Sequence, residues 1–240
     1  MFTKDHTAKQ YDQELDFIRS RVLLMGGLVE NQLRSAIDAF VEGDIDKAAR
    51  VDMEDHRVNA LEVNIDLDCA QIIARRQPAA VDLRMLMGIS KIVTDLERSG
   101  DEAAKIARMT RTIYGRDRCR VSCINDVRDM GNLAVAMLRA ALDTFVRQDA
   151  AQAANIVRED LEIDGKFKAL TRQLITFMME DPRMISSALE IMFIAKAVER
   201  IGDHAKNLAE QVIYIVRGTD VRHVAIEHLE REARGIDCDE

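Results

Sequence analysis

The chain has 240 residues, 48% apolar and 32% charged, a composition typical of a folded globular protein rather than a disordered one. Two prolines, no tryptophan and 4% aromatic residues argue against an all-β sandwich or barrel, which needs many turns and aromatic or β-branched strands. Acidic residues outnumber basic ones by 42 to 34, and the net charge of −8 argues against a nucleic-acid-binding protein.

Neither a targeting segment nor a disulfide framework is apparent. The first 15 residues are polar and charged, and the longest apolar stretch, around Ile191 to Val198, is too short to span a bilayer. Four cysteines in 240 residues match no zinc-binding pattern and are too few for a disulfide-stabilised domain. We therefore expect a reduced, cytoplasmic protein.

Apolar residues recur at spacings of three and four from Ile18 to Phe40 and predict a first long helix. Gly43-Asp44 ends it, and a second helical pattern runs without interruption from Asp44 to Arg76. Pro78 stops the second pattern and precedes a third, which continues to about Tyr114. Long segments with short joints predict antiparallel neighbours in a bundle.

After a polar, basic joint at residues 115–120 the same pattern starts again. Met25-Gly26 matches Met130-Gly131, and Pro78 matches Pro182; the offset is 105 residues early in the repeat and 102 late in it. This internal duplication predicts an all-α fold of two tandem three-helix bundles, with six long antiparallel helices and a short C-terminal helix from Val221 to Arg234. We place repeat one at residues 12–115, repeat two at 120–218 and a tail at 219–240. The pattern leaves open whether the two halves share one core.

Acidic and amide side chains interrupt the apolar stripes of the second and third helices in both repeats. In repeat one they are Asp55, Asn59, Glu62, Glu97 and Asp101. In repeat two they are Asp160, Asp164, Glu199 and Asp203. Glu62 has no acidic counterpart, because Phe167 occupies its position in repeat two.

Carboxylates that face a packed interior must be neutralised or solvated. Two of them about 4 Å apart repel by roughly 4 kcal/mol at an effective dielectric constant near 20. They can face solvent, share protons or bind cations, and the matched positions in both repeats favour a cation site in each. A donor set of oxygen atoms alone favours hard cations such as Mg²⁺, Mn²⁺, Ca²⁺ or oxidised iron over zinc.

Several motifs resemble the PhoU family across residues 10 to 230. The most specific are the paired segments Glu97-Arg-Ser-Gly-Asp101 and Glu199-Arg-Ile-Gly-Asp203, supported by Met25-Gly-Gly-Leu-Val-Glu30 and Ile73-Ala-Arg-Arg-Gln-Pro78. The resemblance implies two symmetric three-helix bundles, with metal ligands at the two Glu-x-x-x-Asp motifs. The resemblance also implies ligands on the second helix of each repeat, facing these motifs: Asp55 with Asn59, and Asp160 with Asp164. Family members are associated with several iron, zinc, magnesium or manganese ions per chain, and the resemblance leaves the metal open.

The function implied by the resemblance is regulatory rather than enzymatic. PhoU proteins restrain the bacterial phosphate-starvation response when phosphate is plentiful. They act as adaptors between the ATPase subunit of the high-affinity phosphate transporter and a phosphate-sensing histidine kinase. The resemblance also implies a homodimer that reaches the membrane only through these partners.

Two alternatives stay open at the level of sequence. A ferritin-like di-iron oxidase is also helical and rich in carboxylates, but its site needs Glu-x-x-His on two helices, and none of the five histidines follows a glutamate at that spacing. The other alternative is a metal-free helical scaffold whose acids face solvent.

Overall fold

The computed structural model describes residues 3–115 and 123–236, with side chains from residue 10 onward. Most of the predicted basic joint and the last four residues of the predicted tail lie outside these ranges. The described residues are all-helical, as predicted. The helices are α1 (Thr3–Glu42), α2 (Ile45–Glu54), α3 (His56–Arg76), α4 (Ala80–Tyr114), α5 (Ile124–Arg147), α6 (Ala150–Glu180), α7 (Ile185–Arg217) and α8 (Ile226–Arg234), with a 3₁₀ turn at Pro182–Met184.

Matching aspartates begin the second helix of each repeat. The Asp44 carboxylate accepts a hydrogen bond from the backbone N–H of Lys47 at 2.8 Å, and Asp149 accepts one from Gln152 at 3.0 Å. Each side chain satisfies one of the backbone donors left free in the first turn of a helix. The duplication seen in the sequence is thus repeated in the capping of the helices.

The prediction of one unbroken helix from Asp44 to Arg76 is wrong at a single residue. The helix divides at Asp55, whose carbonyl accepts the N–H of Val58 at 3.0 Å and that of Asn59 at 3.3 Å. The shorter bond closes a tighter, 3₁₀-type turn, and aspartate favours a helix start over a helix interior. In repeat two α6 runs unbroken through the equivalent Asp160.

The C-terminal helix is shorter than predicted and begins at Ile226 instead of Val221. The Asp220 carboxylate accepts the backbone N–H of Arg222, and Ala225 is extended, so the chain turns before the helix can start. Helix α8 then packs on α6 with Leu229 and Ala233 buried.

Both repeats contribute to one continuous apolar core, which the sequence pattern had left open. Helix α1 packs along α5, and each presents a glycine to the other. A Cβ placed on Gly26 would lie 2.5 Å from Cδ1 of Leu142, and one on Gly131 would lie 2.7 Å from Cγ1 of Ile37. The two contacts are equivalent, because adding 105 to Gly26 gives Gly131 and adding 105 to Ile37 gives Leu142. The repeats therefore meet about an internal pseudo-two-fold axis, as the subunits of a symmetric dimer do.

The second contact between repeats joins α4 to α7, the two helices that carry the Glu-x-x-x-Asp motifs. Arg84 donates a hydrogen bond to the carbonyl of Ile215 at 3.1 Å, and the Ile215 side chain packs against the backbone at Gly88. The motif helices are therefore held side by side at the centre of the molecule.

We predict that Gly131→Val lowers the free energy of unfolding by about 2 kcal/mol, because the added side chain must displace Ile37 from a filled core. Urea denaturation followed by circular dichroism measures the change. The control is Gly27→Val, at a position where an added Cβ meets no atom within 4 Å, which should change the free energy by less than about 0.5 kcal/mol. Equal destabilisation by both variants would contradict the tight crossing of α1 and α5.

Candidate metal sites

In repeat one, α4 brings its acids against the junction of α2 and α3. A Cβ placed on Gly100 would lie 3.4 Å from Oδ1 of Asp55 and 3.2 Å from Oε1 of Gln32. The glycine between Glu97 and Asp101 thus lets a carboxylate from the facing helix approach the α4 backbone, which explains a residue that weakens the helix by about 1 kcal/mol.

The clustering of acids in repeat one raises the pKa of both acids on α4. Burial raises the pKa of Glu97, and the charges of Asp101, Glu62 and Asp55 raise it further. Burial and then the charge of Asp55 raise the pKa of Asp101. The structure therefore brings four of the five predicted residues of this repeat into one electrostatic cluster.

Two amide side chains next to this cluster have oxygen atoms without a donor. Asn59 lies one turn beyond Asp55, and its Oδ1 is buried with no hydrogen-bond partner. Gln32 of α1 is only 8% exposed; its Nε2 donates to Oδ1 of Asp55 at 2.8 Å, while its Oε1 is buried and has no partner. Sequence analysis missed Gln32. Repeat two has Met137 at the equivalent position, and only the packing of α1 shows that the amide of Gln32 reaches Asp55.

Repeat two uses the same geometry with a more deeply buried aspartate. Asp160 is 2% exposed, and a Cβ placed on Gly202 would lie 3.4 Å from its Oδ1. Burial raises the pKa of Asp160, as do the charges of Asp164 and Glu199, while Lys206 opposes the rise. Burial and then the charges of Glu199 and Asp160 raise the pKa of Asp203. All four acids predicted for this repeat lie within electrostatic reach of one another.

Two lysines bind the acids of repeat two. Nζ of Lys206 lies 3.0 Å from Oδ2 of Asp160, and Nζ of Lys196 lies 2.6 Å from Oε1 of Glu199. Sequence analysis did not predict either pair. The sequence does show that both lysines are particular to repeat two. In repeat one, Ala104 stands at the position of Lys206 and Thr94 at the position of Lys196.

Residues on α4 and α7 also line a cleft of about 490 Å³ between the repeats, into which Asp101 and Asp203 both open. Arg200 spans the two helices and binds Glu102 at 2.8 Å. Across the same interface His204 and Asn207 bond Oδ1 of Asp95, so Asn207 serves the helix contact rather than the acids of its own repeat.

The oxygen atoms of both clusters are suitable ligands for a hard cation. The described part of the chain nevertheless holds no ready-made group of three ligating His, Cys, Asp or Glu side chains. The available metal ligands are carboxylate and amide oxygens, which Mg²⁺, Mn²⁺ and Ca²⁺ prefer. Asp160 Oδ1, Asn59 Oδ1 and Gln32 Oε1 are buried acceptors without a donor, and such atoms are costly to leave unpaired. A cation held here would supply positive charge and let the acids ionise together.

Comparison with known proteins extends the similarity to nearly the whole chain. The family model "PhoU domain" matches residues 22–110 and 127–212. A phosphate-specific transport system accessory protein PhoU homolog from Pseudomonas putida is 46% identical over 96% of this chain and 90% of its own.

Two solved structures share the fold. The crystal structure of PhoU from Pseudomonas aeruginosa superposes with a TM-score of 0.84 at 45% identity, covering 87% of this chain and all of that one. The phosphate transport system regulatory protein PhoU from Streptococcus pneumoniae superposes with a TM-score of 0.82 at 29% identity, covering 88% and 99% of the two chains. This chain belongs to the PhoU family, whose members are accessory and regulatory proteins and not enzymes.

Proposed function

We propose that this protein is a metal-binding, homodimeric adaptor that restrains phosphate uptake and phosphate-starvation signalling when phosphate is plentiful. Similarity over nearly the full length to relatives named as accessory proteins of phosphate-specific transport carries the regulatory part of the proposal. The partners we infer are the ATPase subunit of the high-affinity phosphate transporter and a phosphate-sensing histidine kinase.

A cytoplasmic location follows from these partners, because both are contacted from the cytoplasmic face of the membrane. Across the part of the chain that the structure describes, each helix is too short or too polar to cross a bilayer. Contact with the membrane is therefore proposed to be indirect, through the transporter and the kinase.

The metal-binding part of the proposal is supported by the matched acid clusters. In repeat one the ligands are Asp55, Asn59, Glu62, Glu97 and Asp101, and in repeat two they are Asp160, Asp164, Glu199 and Asp203. Each cluster combines two acids of the α2–α3 segment or of α6 with two acids of α4 or α7. A bound cation would therefore link two helices of its repeat. Magnesium, manganese, iron and zinc are the candidate ions, and the oxygen donors favour the harder ones.

We predict that the purified protein binds several Mn²⁺ ions and that a variant with Glu97→Gln, Asp101→Asn, Glu199→Gln and Asp203→Asn loses this binding. Equilibrium dialysis with elemental analysis counts the bound ions. The control changes four exposed glutamates, Glu159, Glu162, Glu180 and Glu227, to glutamine and alters the net charge equally. Binding that is absent in the wild type, or retained by the site variant, would leave the metal-free scaffold as the better description.

We predict that deleting the gene releases phosphatase expression from repression in phosphate-rich medium. A reporter fused to a phosphate-regulated promoter measures the change, and a plasmid copy of the wild-type gene should restore repression. Unchanged expression after deletion would contradict the regulatory role. Complementation by the variant with all four site substitutions then separates the regulatory part of the proposal from the metal-binding part. Full restoration would show that repression does not need the metal ligands.

A further inference from the structure

We propose that the two repeats hold cations unequally, with repeat one as the stronger site and repeat two as a site that the chain already neutralises with its own lysines. This inference rests on the proposed metal binding and concerns which cluster is filled first. It comes from differences between two sites that the duplication would otherwise make alike.

In repeat two, both deeply buried acids already have a cationic partner. Asp160 and Glu199 are 2% and 8% exposed, and they pair with Lys206 and Lys196. Lys196 bonds both carboxylate oxygens of Glu199 and also lies 5.4 Å from the ring centre of Phe167. A hydrogen-bonded ammonium group over an aromatic face is well fixed, so a metal ion must displace two ammonium groups before it can use these acids.

Repeat one lacks all three of these features. Thr94 and Ala104 stand where repeat two has the lysines, and Glu62 stands where repeat two has Phe167. Within the described residues, none of Asp55, Glu62, Glu97 and Asp101 forms an ion pair with a lysine or arginine; Arg108, the nearby base on α4, binds Asp52 instead. Four acids without a bonded base attract a cation more strongly than four acids with two.

Gln32 adds a neutral oxygen to repeat one that repeat two cannot match. Its Nε2 donates to Asp55, which fixes the orientation of the amide and leaves Oε1 as the buried acceptor beside Gly100. Amide oxygens are good ligands for hard cations. At the equivalent position the buried side chain of Met137 offers only a thioether, which such cations disfavour.

The primary test is a Mn²⁺ titration followed by electron paramagnetic resonance, which reports the free ion. We expect two classes of site in the wild type. Glu97→Gln with Asp101→Asn should remove the tighter class, and Glu199→Gln with Asp203→Asn should remove the weaker one. These substitutions keep side-chain shape, and circular dichroism confirms that each variant is folded.

A second experiment exchanges the distinguishing residues. Lys196→Thr with Lys206→Ala gives repeat two the residues of repeat one and should tighten the weaker class about tenfold, which corresponds to about 1.4 kcal/mol. The control is Lys166→Ala with Lys168→Thr in α6, of which Lys166 pairs with Glu162 and neither pairs with a proposed ligand. It changes the net charge by the same amount and should leave both classes unaltered. In the reverse direction Thr94→Lys, placed three residues before Glu97, should weaken the tighter class.

The outcomes separate this inference from the proposed function. Two equal classes, or loss of the weaker class on changing Glu97 and Asp101, would overturn the inequality while metal binding stands. An unchanged weaker class in the double lysine variant would also overturn it, provided that the variant melts as cooperatively as the wild type. Complete absence of bound Mn²⁺ in the wild type would overturn both.

Discussion

Repulsion among carboxylates held between packed helices is the constraint on which the arrangement of both repeats depends. In repeat one, Glu97 and Asp101 face Asp55 across Gly100, and burial and the charges of neighbouring acids raise the pKa of both α4 acids. An apolar residue at any of these positions would pack without that cost. The same positions carry acids in repeat two, which supports the proposal that both clusters bind cations.

The duplication explains why the clusters lie where they do. Reciprocal glycine contacts between α1 and α5, and the lengthwise packing of α4 on α7, place the repeats about a pseudo-two-fold axis. Both clusters consequently open toward one cleft, through Asp101 and Asp203. Because Lys206 and Lys196 pair with acids of repeat two, the two clusters differ in charge.

Periodicity and the internal repeat predicted the helical class and the acids that lie together, because each is a local pattern that recurs at a nearly constant offset. The split at Asp55 was not predicted, since it depends on which of two backbone N–H groups its carbonyl binds more closely. Lys206 and Gln32 were missed for another reason: each reaches an acid on a different helix, and only packing brings them together. The shared core was not predicted either, because the sequence pattern does not show which helices of the two repeats pack against each other.

Unfolding of the metal-free protein against pH tests the central claim that these carboxylates repel one another when ionised in the fold. In the presence of EDTA, Glu97→Gln should be more stable than the wild type at pH 8, and the difference should shrink toward pH 4. The reason is that a raised folded-state pKa favours the native state only while Glu97 stays protonated, and that advantage is lost as the pH rises through this pKa. Saturating Mn²⁺ should reverse the order. A variant that is less stable than the wild type at pH 8 without metal, or a difference independent of pH, would contradict the account.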